Sequence, residues 1–165
     1  MLAERTAAVP SLKKAYAECR RIALGHYENF PVASIFLPGE LRPHVYAIYA
    51  YCRGVDDIGD EATGGRLALL AEFEAELRRC YDGEPRDPRF VALADTIRRF
   101  DIPHEPFERL IEANRRDQRV KRYPTFDELL DYCSYSAEPV GRLVLHVLGY
   151  RDDERTRFSD ATCTT

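Results

Sequence analysis

The residues best suited to chemistry lie in one short stretch, positions 46–61, which read Tyr-Ala-Ile-Tyr-Ala-Tyr-Cys-Arg-Gly-Val-Asp-Asp-Ile-Gly-Asp-Glu. On a helix that turns about 100° per residue, six aromatic, basic and acidic side chains of this stretch share one sector roughly 100° wide. They are Tyr46, Tyr49, Arg53, Asp56, Asp57 and Asp60. The other sides carry the apolar or small residues Ala47, Ile48, Ala50, Cys52, Gly54, Val55 and Ile58. This pattern predicts a buried helix with one face lining a cavity.

The acidic end of this helix favours a bound cation. Gly64 and Gly65 predict the end of the helix, so the carboxylates lie near the negative end of its dipole, at a cost of about 0.3–1 kcal/mol each. Asp56 and Asp60 also repel each other at i,i+4 spacing. A divalent cation would reverse both effects, and carboxylate oxygens suit Mg²⁺. The alternative is an acidic helix end in water, which Arg53 and the tyrosines on the same stripe make less attractive.

Two other segments are candidates for binding. In the first, His26, Tyr27 and Asn29 could donate hydrogen bonds to an anion, although a helix-end cluster exposed to water is the better explanation from these residues alone. In the second, a capping box at Thr125 and Glu128 predicts a helix start. The polar side chains that follow at heptad-like offsets either line a cavity or border an ordinary amphipathic helix; they are Tyr132, Tyr135, Arg142 and His146.

Composition excludes several classes of protein. A net charge of −4 does not fit a nucleic-acid-binding protein, which would present a basic face. No apolar run approaches the roughly 18 residues of a transmembrane helix, and residues 1–10 lack the apolar core of a secretory signal. The five cysteines have no metal-ligand spacing, and their odd number fits reduced thiols. We therefore expect a cytoplasmic location.

Helical periodicity recurs along the chain, with short Pro/Gly loops between the periodic segments. Six helices are expected, at about 11–27, 43–63, 66–81, 88–100, 105–118 and 126–148, the last with a kink at Pro139. The predicted core positions include Leu12, Leu67, Leu129 and Leu130. Another helix is expected to begin after residue 151. The sequence thus predicts a single all-α domain over residues 1–165.

Three motifs carry a resemblance to a known family. Residues 49–61 resemble the first aspartate-rich motif of the squalene and phytoene synthases. Residues 132–141, Tyr-Cys-Ser-Tyr-Ser-Ala-Glu-Pro-Val-Gly, resemble their tyrosine-rich motif, and His26-x-x-Asn-Phe30 resembles the flap over the diphosphate. The stretches 29–34 and 136–142 are most similar to the HpnC-type, hydroxysqualene-forming branch of hopanoid pathways. The motifs occur in the family's order.

The resemblance implies a fold, a reaction and a set of site residues. The fold would be an isoprenoid-synthase-type helical bundle around a central cavity. Mg²⁺ would neutralise a leaving diphosphate, and Tyr135 would lie near the carbocation that ionisation produces. The implied catalytic residues are Tyr132, Tyr135 and Arg53; the substrate-binding residues His26, Asn29, Phe30, Tyr49 and Arg53; and the metal-binding residues Asp56, Asp57 and Asp60.

The sequence also departs from the family pattern. The second acidic motif, Asn-x-x-x-Asp, does not occur in these 165 residues, which end at Asp160-Ala-Thr-Cys-Thr-Thr just before the place where it is expected. We therefore expect the N-terminal part of a catalytic domain, with little or no activity by itself. The flap lacks the usual serines, and Glu138 stands where this branch more often has a smaller amide.

Three functional hypotheses remain. The first is conversion of presqualene diphosphate to hydroxysqualene. The second is head-to-head joining of farnesyl or geranylgeranyl diphosphate, giving presqualene diphosphate, squalene or phytoene. The third is a helical scaffold that has lost catalysis. The enzyme hypotheses imply a prenyl diphosphate as the partner, Mg²⁺ as the cofactor and no nucleic acid. An apolar product would favour peripheral attachment of the enzyme to the inner face of a membrane, although no amphipathic basic helix supports such attachment.

Overall fold

A computed structural model describes residues 10–25 and 36–165. Within these ranges every regular element is helical, which confirms the all-α expectation. The helices are α1 Leu12–Gly25, α2 Arg42–Asp56, α3 Arg66–Asp82, α4 Pro88–Phe100, α5 Glu105–Asp117, α6 Phe126–Ser136, α7 Glu138–Val147 and α8 Asp153–Thr164. Helix α2 continues directly into a π-helical turn, Asp57–Glu61.

Helix α2 is the central element of the fold. It packs against α1, α4, α5 and α7, and ten of its 15 residues are buried. Pro43 fits the first turn, where a missing N–H costs no helical hydrogen bond. The prediction of a buried helix at this position is therefore confirmed.

An aromatic cluster fixes α2 against its neighbours on one side. The ring of Tyr51 lies 5.1 Å from that of Phe73 on α3, 6.0 Å from Phe90 on α4 and 4.9 Å from Phe107 on α5. The Tyr51 hydroxyl donates to the Phe107 carbonyl at 2.9 Å, so its buried polar group is satisfied. These contacts hold the C-terminal half of α2 in a fixed position.

On its other side α2 packs against α1. Ala15, Cys19 and Ala23 of α1 are fully buried, and their small side chains allow a close approach between the two helices. Tyr46 and Tyr49 lie in the same cluster. The part of the predicted stripe formed by Tyr46 and Tyr49 thus belongs to the core between α1 and α2. Only the acidic end of the stripe reaches the surface.

The predicted sixth helix is divided in two. The chain forms α6 and α7, separated at Ala137, where the backbone has φ −104° and ψ −51°. Pro139 lies in the first turn of α7, so a new helix starts where a kink was expected. The predicted capping box is confirmed, since Thr125 and Glu128 exchange hydrogen bonds of 3.2 Å. The helix expected after residue 151 is also confirmed as α8.

Four leucines predicted in the core are exposed. Leu12 and Leu67 are 42% and 47% exposed, and Leu129 and Leu130 are 40% and 36% exposed. Leu12 and Leu67 lie in the first turns of α1 and α3, at the margins of the packed surfaces. Leu129 and Leu130 belong to α6, which has no buried residue. The prediction that Leu129 and Leu130 lie in the core is therefore wrong for the described part of the chain.

A polar network connects the start of α2 to α1 and α4. The Tyr16 hydroxyl donates to Asp95 at 2.7 Å, and the Thr96 hydroxyl donates to the Ala92 carbonyl at 3.0 Å. Because both hydroxyl protons are used, the buried His44 ring must donate from Nδ1 to the oxygens of Tyr16 and Thr96, 2.9 and 3.0 Å away. Nδ1 of His44 therefore carries a proton, and burial of the ring favours its neutral form.

The hydrogen-bond network around His44 predicts that the free energy of unfolding decreases as the pH falls. Burial lowers the pKa of His44 below its usual 6.5, and Arg99 lowers it further while Asp95 opposes the shift. The unfolded chain then binds a proton more readily than the folded one, so the free energy of unfolding decreases as the pH falls below about 6.5. We expect His44→Asn, whose amide can replace the Nδ1–H donor, to flatten this dependence in urea unfolding series at neutral and mildly acidic pH. An unchanged slope would assign the dependence to other groups.

Candidate functional site

The acidic motif lies on a π turn instead of a regular helix. The Ala62 N–H donates to the Asp57 carbonyl at 3.1 Å, the i→i+5 hydrogen bond of a π turn. The expected continuation of α2 as a regular helix to Gly64 is therefore wrong. Turns of this kind occur frequently at functional sites, and this one changes the spacing of Asp56 and Asp60 from that of an α-helix.

Glycine at position 59 allows the π turn to contact α5 directly. A Cβ atom on Gly59 would overlap the carboxamide oxygen of Asn114. The Gln118 side chain donates to the Gly59 carbonyl at 3.1 Å, and this satisfies a backbone group that the turn leaves available. Two carboxamides of α5 thus position the acidic motif.

Asn114 holds the first carboxylate of the motif. Its Nδ2 donates to Asp56 Oδ1 at 3.2 Å and to the Leu110 carbonyl at 3.1 Å. Asp56 keeps access to solvent, but the surrounding protein still reduces its hydration. This desolvation raises the pKa of Asp56; the charge of Asp60 raises it too, while the Asn114 hydrogen bond lowers it. A carboxylate in this environment would gain from a nearby cation.

Arg53 neutralises a different part of the motif. Its guanidinium lies 2.6 Å from Asp57 and 2.7 Å from Glu61. Asp57 therefore faces Arg53, whereas Asp56 is held by Asn114 on α5. Among residues 10–25 and 36–165, no three or more acidic, histidine or cysteine side chains converge as a ready metal site. Asp57 thus lies beside Asp56 and Asp60 and pairs with Arg53, and the metal-binding role of these three carboxylates stays a prediction.

A site with fewer protein carboxylates still fits Mg²⁺. This ion commonly keeps several waters and binds one or two carboxylates together with substrate phosphates. Asp56 and Asp60 are both solvent-accessible, and the charge of Asp60 raises the pKa of Asp56. Asp56 and Asp60 therefore fit a magnesium ion that keeps several waters, whereas Asp57 pairs with Arg53. The metal site itself stays a prediction.

The tyrosine-rich motif reaches the same region through α5. The Tyr132 hydroxyl donates to Asp117 at 2.7 Å, three residues beyond Asn114 on the same helix. Burial and this carboxylate raise the pKa of Tyr132, so its phenol stays protonated. The end of α5 therefore connects the acidic motif on α2 with the tyrosine-rich motif on α6.

Tyr135 has a cationic environment. The guanidinium carbon of Arg116 lies 3.6 Å from the centre of its ring, and that of Arg109 lies 5.2 Å away. A guanidinium this close uses the negative ring face that would otherwise attract a carbocation. The role implied for Tyr135 stays a prediction, and it would require Arg116 to move.

The predicted substrate contacts of Tyr49 and of the three flap residues stay predictions. Tyr49 is 5% exposed and packs between α1 and α2, so its contact with a substrate stays a prediction. His26, Asn29 and Phe30, predicted to cover the diphosphate, lie outside the described residues.

Comparison with known proteins decides the family. The sequence profile of the family described as squalene/phytoene synthase matches residues 24–165. The chain belongs to the squalene/phytoene synthase family. Within this family it is 37% identical to the 15-cis-phytoene synthase of Synechococcus elongatus over 144 residues, which cover 86% of the chain and 47% of that protein. It is also 37% identical to the hydroxysqualene synthase of Zymomonas mobilis over 166 residues, which cover 97% of the chain and 54% of that protein.

Solved structures of this family match the fold. The crystal structure of squalene synthase HpnC from Alicyclobacillus acidocaldarius superposes with a TM-score of 0.90 at 58% identity, covering 94% of the chain and 60% of that protein. A dehydrosqualene synthase in complex with ligand gives 0.85 at 29% identity, covering 93% of the chain and 54% of that protein. The chain spans about a third to a half of the length of the curated relatives that it matches.

Sequence reasoning missed Asn114 and Gln118 as residues that support the family's acidic motif. Asn114 lies in the last turn of α5, after the buried Leu110 and Ile111, and Gln118 is the C-cap residue one turn later. Two carboxamides at i,i+4 spacing beside a core stripe are unusual in a run of charged residues, and this was the available signal. The charged run 115–122 hides this signal, because such runs are usually solvated faces.

Over residues 10–25 and 36–165, no helix combines the length and the apolar character needed to cross a bilayer.

Proposed function

We propose that this chain forms the N-terminal part of a Mg²⁺-dependent enzyme that converts presqualene diphosphate to hydroxysqualene. The observation that carries the proposal is the acidic end of α2, where Asp56 and Asp60 are accessible and Asn114 and Arg53 fix their surroundings. The 58% identity to the squalene synthase HpnC of Alicyclobacillus acidocaldarius supports the choice of branch.

The side chains support binding and ionisation of a diphosphate. A bound magnesium ion would neutralise the leaving diphosphate. Asp56 and Asp60 would hold that ion, with Asn114 orienting Asp56. Arg53, kept in place by Asp57 and Glu61, would donate to a diphosphate oxygen. The protonated Tyr132 would border the same region from α6, where it is anchored to Asp117.

A second candidate is the head-to-head synthesis of presqualene diphosphate, squalene or phytoene. The observation that favours it is the 37% identity to the 15-cis-phytoene synthase of Synechococcus elongatus, the same identity as to the hydroxysqualene synthase. The two reactions share the ionisation of a prenyl diphosphate. They differ in the fate of the carbocation. In the first, water adds to the carbocation and a proton is lost, which gives an alcohol; in the second, the carbocation bonds to a second prenyl chain, and a later carbocation loses a proton or accepts hydride from a reductant.

A chimera allows the proposal to be tested. Residues 10–165 would replace the matching 60% of the Alicyclobacillus protein, so that the rest of the fold is supplied by a similar structure. With Mg²⁺ and no reductant, we expect the chimera to convert presqualene diphosphate to an alcohol. The products from presqualene, farnesyl and geranylgeranyl diphosphate, each supplied separately, would be identified by mass spectrometry.

The outcomes of this experiment separate the hypotheses. Hydrocarbon or presqualene diphosphate formed from farnesyl or geranylgeranyl diphosphate, with no alcohol from presqualene diphosphate, would favour the second candidate. A folded chimera that forms no product, while the unmodified Alicyclobacillus protein is active in the same assay, would contradict both enzyme hypotheses. Only the hypothesis of a helical scaffold without catalysis would then remain. The 165-residue chain alone is expected to show little or no turnover.

A further inference from the structure

The outer face of α1 carries a group of cations. At about 100° per residue, six exposed residues of this helix fall within a sector roughly 120° wide. Four of them are cationic and two are apolar, namely Lys13, Lys14, Arg20, Arg21, Ala17 and Leu24. The helix contains one carboxylate, Glu18, whereas the whole chain has a net charge of −4. Positive charge is therefore concentrated on one outer surface of an acidic protein.

Most of this charge is not neutralised by neighbouring carboxylates. Arg21 pairs with Glu18 at 2.6 Å. No carboxylate in residues 10–25 and 36–165 forms an ion pair with Lys13, Lys14 or Arg20. The two lysines lie in the first turn of α1, where the helix dipole disfavours a cation. Helix stability therefore does not explain these cations, and a negatively charged partner would compensate them.

The opposite face of α1 belongs to the core. Ala15, Cys19 and Ala23 are fully buried and pack with residues of α2. A free amphipathic helix binds a bilayer by burying its apolar face in the interface. In α1 that face is already covered, so a partner outside the protein can contact only the cationic face.

The cationic surface continues from α1 onto the start of α2. Arg20 and Arg42 border one cavity of about 330 Å³, and none of the described residues that line it is acidic. Arg42 Nε donates to the Leu37 carbonyl at 3.0 Å, which holds the turn before α2 next to this cavity. Phe36 in that turn is 87% exposed, and Leu24 on α1 is 50% exposed. The surface thus combines cationic groups with large apolar side chains.

This combination fits an anionic lipid bilayer better than a nucleic acid. Each Lys or Arg near an anionic bilayer strengthens binding about fivefold. Helix α1 is roughly 21 Å long, and when it lies parallel to the bilayer its cations fall within the Debye length of about 8–10 Å. Leucine and phenylalanine side chains gain free energy by entering the lipid interface. A nucleic-acid backbone offers them no comparable apolar environment.

We propose that the outer face of α1 docks on a membrane surface rich in anionic lipid. Lys13, Lys14 and Arg20 bind headgroup phosphates, and Leu24 enters the interface. The proposal goes beyond the proposed function, because docking requires neither a metal ion nor a prenyl diphosphate. It keeps the protein at the surface of the phase in which apolar prenyl chains dissolve.

The test is co-sedimentation of the 165-residue chain with lipid vesicles, in EDTA and without any prenyl diphosphate. We expect tighter binding to vesicles that contain phosphatidylglycerol than to vesicles of phosphatidylcholine alone, and the binding should weaken as the salt concentration rises. Lys13→Gln/Arg20→Gln should weaken it about 20-fold or more, since two cations are lost. Equal binding of the unmodified chain to both kinds of vesicle would overturn the proposal.

Lys121→Gln/Arg122→Gln is the matched control, because it removes two exposed cations from the charged run 115–122. Its effect on vesicle binding should stay below about twofold, since these charges are screened from a bilayer docked on α1. Equal weakening by the two double variants would show that the net charge of the chain governs binding, and would overturn the proposal. If thermal unfolding shows that Lys13→Gln/Arg20→Gln does not fold, Lys14→Gln/Arg20→Gln replaces it with the same expected loss.

Leu24→Ser separates a bilayer from a soluble polyanion. The side chain is half exposed, so the fold should persist, and vesicle binding should weaken several-fold because less apolar surface enters the interface. Binding to double-stranded DNA, measured in parallel by fluorescence anisotropy, should be weaker than binding to anionic vesicles and unaffected by Leu24→Ser. Tighter binding to DNA than to vesicles, or unchanged vesicle affinity of Leu24→Ser, would overturn the proposal in favour of a partner recognised by charge alone.

Discussion

Asp56→Asn in the chimera is expected to reduce turnover of presqualene diphosphate by about 10²-fold or more. Loss of the proposed magnesium ligand would remove stabilisation of the leaving diphosphate, and a bound metal ion contributes several kcal/mol to such a transition state. The amide keeps the size of the carboxylate and can still hydrogen-bond to the Asn114 side chain, so the fold should persist. Initial rates at saturating Mg²⁺, together with thermal unfolding, provide the measurement.

Asp82→Asn is the matched control for this variant. It removes the same charge from the opposite end of α3, roughly 25 Å from the acidic motif at about 1.5 Å per residue. Its turnover should equal that of the unmodified chimera. If Asp56→Asn retained most of the activity, or if both variants lost it equally, Asp56 would not be a metal ligand.

Gly59→Ala is expected to destabilise the chain by about 1–3 kcal/mol. The new methyl group would overlap the Asn114 carboxamide, which must then move and release Asp56. The π turn would also shift from Gln118. For a chain of this size, the thermal midpoint should fall by roughly 2–4 °C per kcal/mol, measured by circular dichroism. The same substitution in the chimera should lower turnover, because Asp56 loses its orientation.

A double variant tests the mechanism of this effect. Asn114→Ala removes the carboxamide that the methyl group would meet, so the loss in Gly59→Ala/Asn114→Ala should be smaller than the sum of the single losses, with a coupling of about 0.5–3 kcal/mol. Gly39→Ala is the control, since no atom lies within 4 Å of a Cβ placed there. Additive losses would show that Asn114 does not limit the space at Gly59.

The sequence predicted the parts of the fold that depend on local pattern. The apolar surroundings of α2 identified it as buried, and the Thr125–Glu128 capping box located the start of α6. It also identified the acidic motif as a candidate site. These features are encoded by residues close together in the chain, so periodicity and capping rules are sufficient to find them.

The parts that escaped prediction depend on contacts between distant segments. The π turn at residues 57–61 is accommodated because Gly59 meets Asn114 and Gln118, more than 50 residues away, and helical periodicity does not encode that contact. The division of Asp56 and Asp57 between Asn114 and Arg53 follows from the same packing. Likewise, the exposure of Leu129 and Leu130 depends on what packs on α6, and the amphipathic pattern alone does not determine it.

The central claim is that the end of α2 holds the magnesium ion that promotes loss of diphosphate. The most direct measurement compares the products of the unmodified chimera and its Asp56→Asn variant, each incubated with presqualene diphosphate in Mg²⁺ and in EDTA. We predict an alcohol from the unmodified chimera with Mg²⁺ alone, and a loss of about 10²-fold or more in EDTA or in the variant. Equal alcohol formation by both proteins in Mg²⁺, or full activity in EDTA, would contradict the claim.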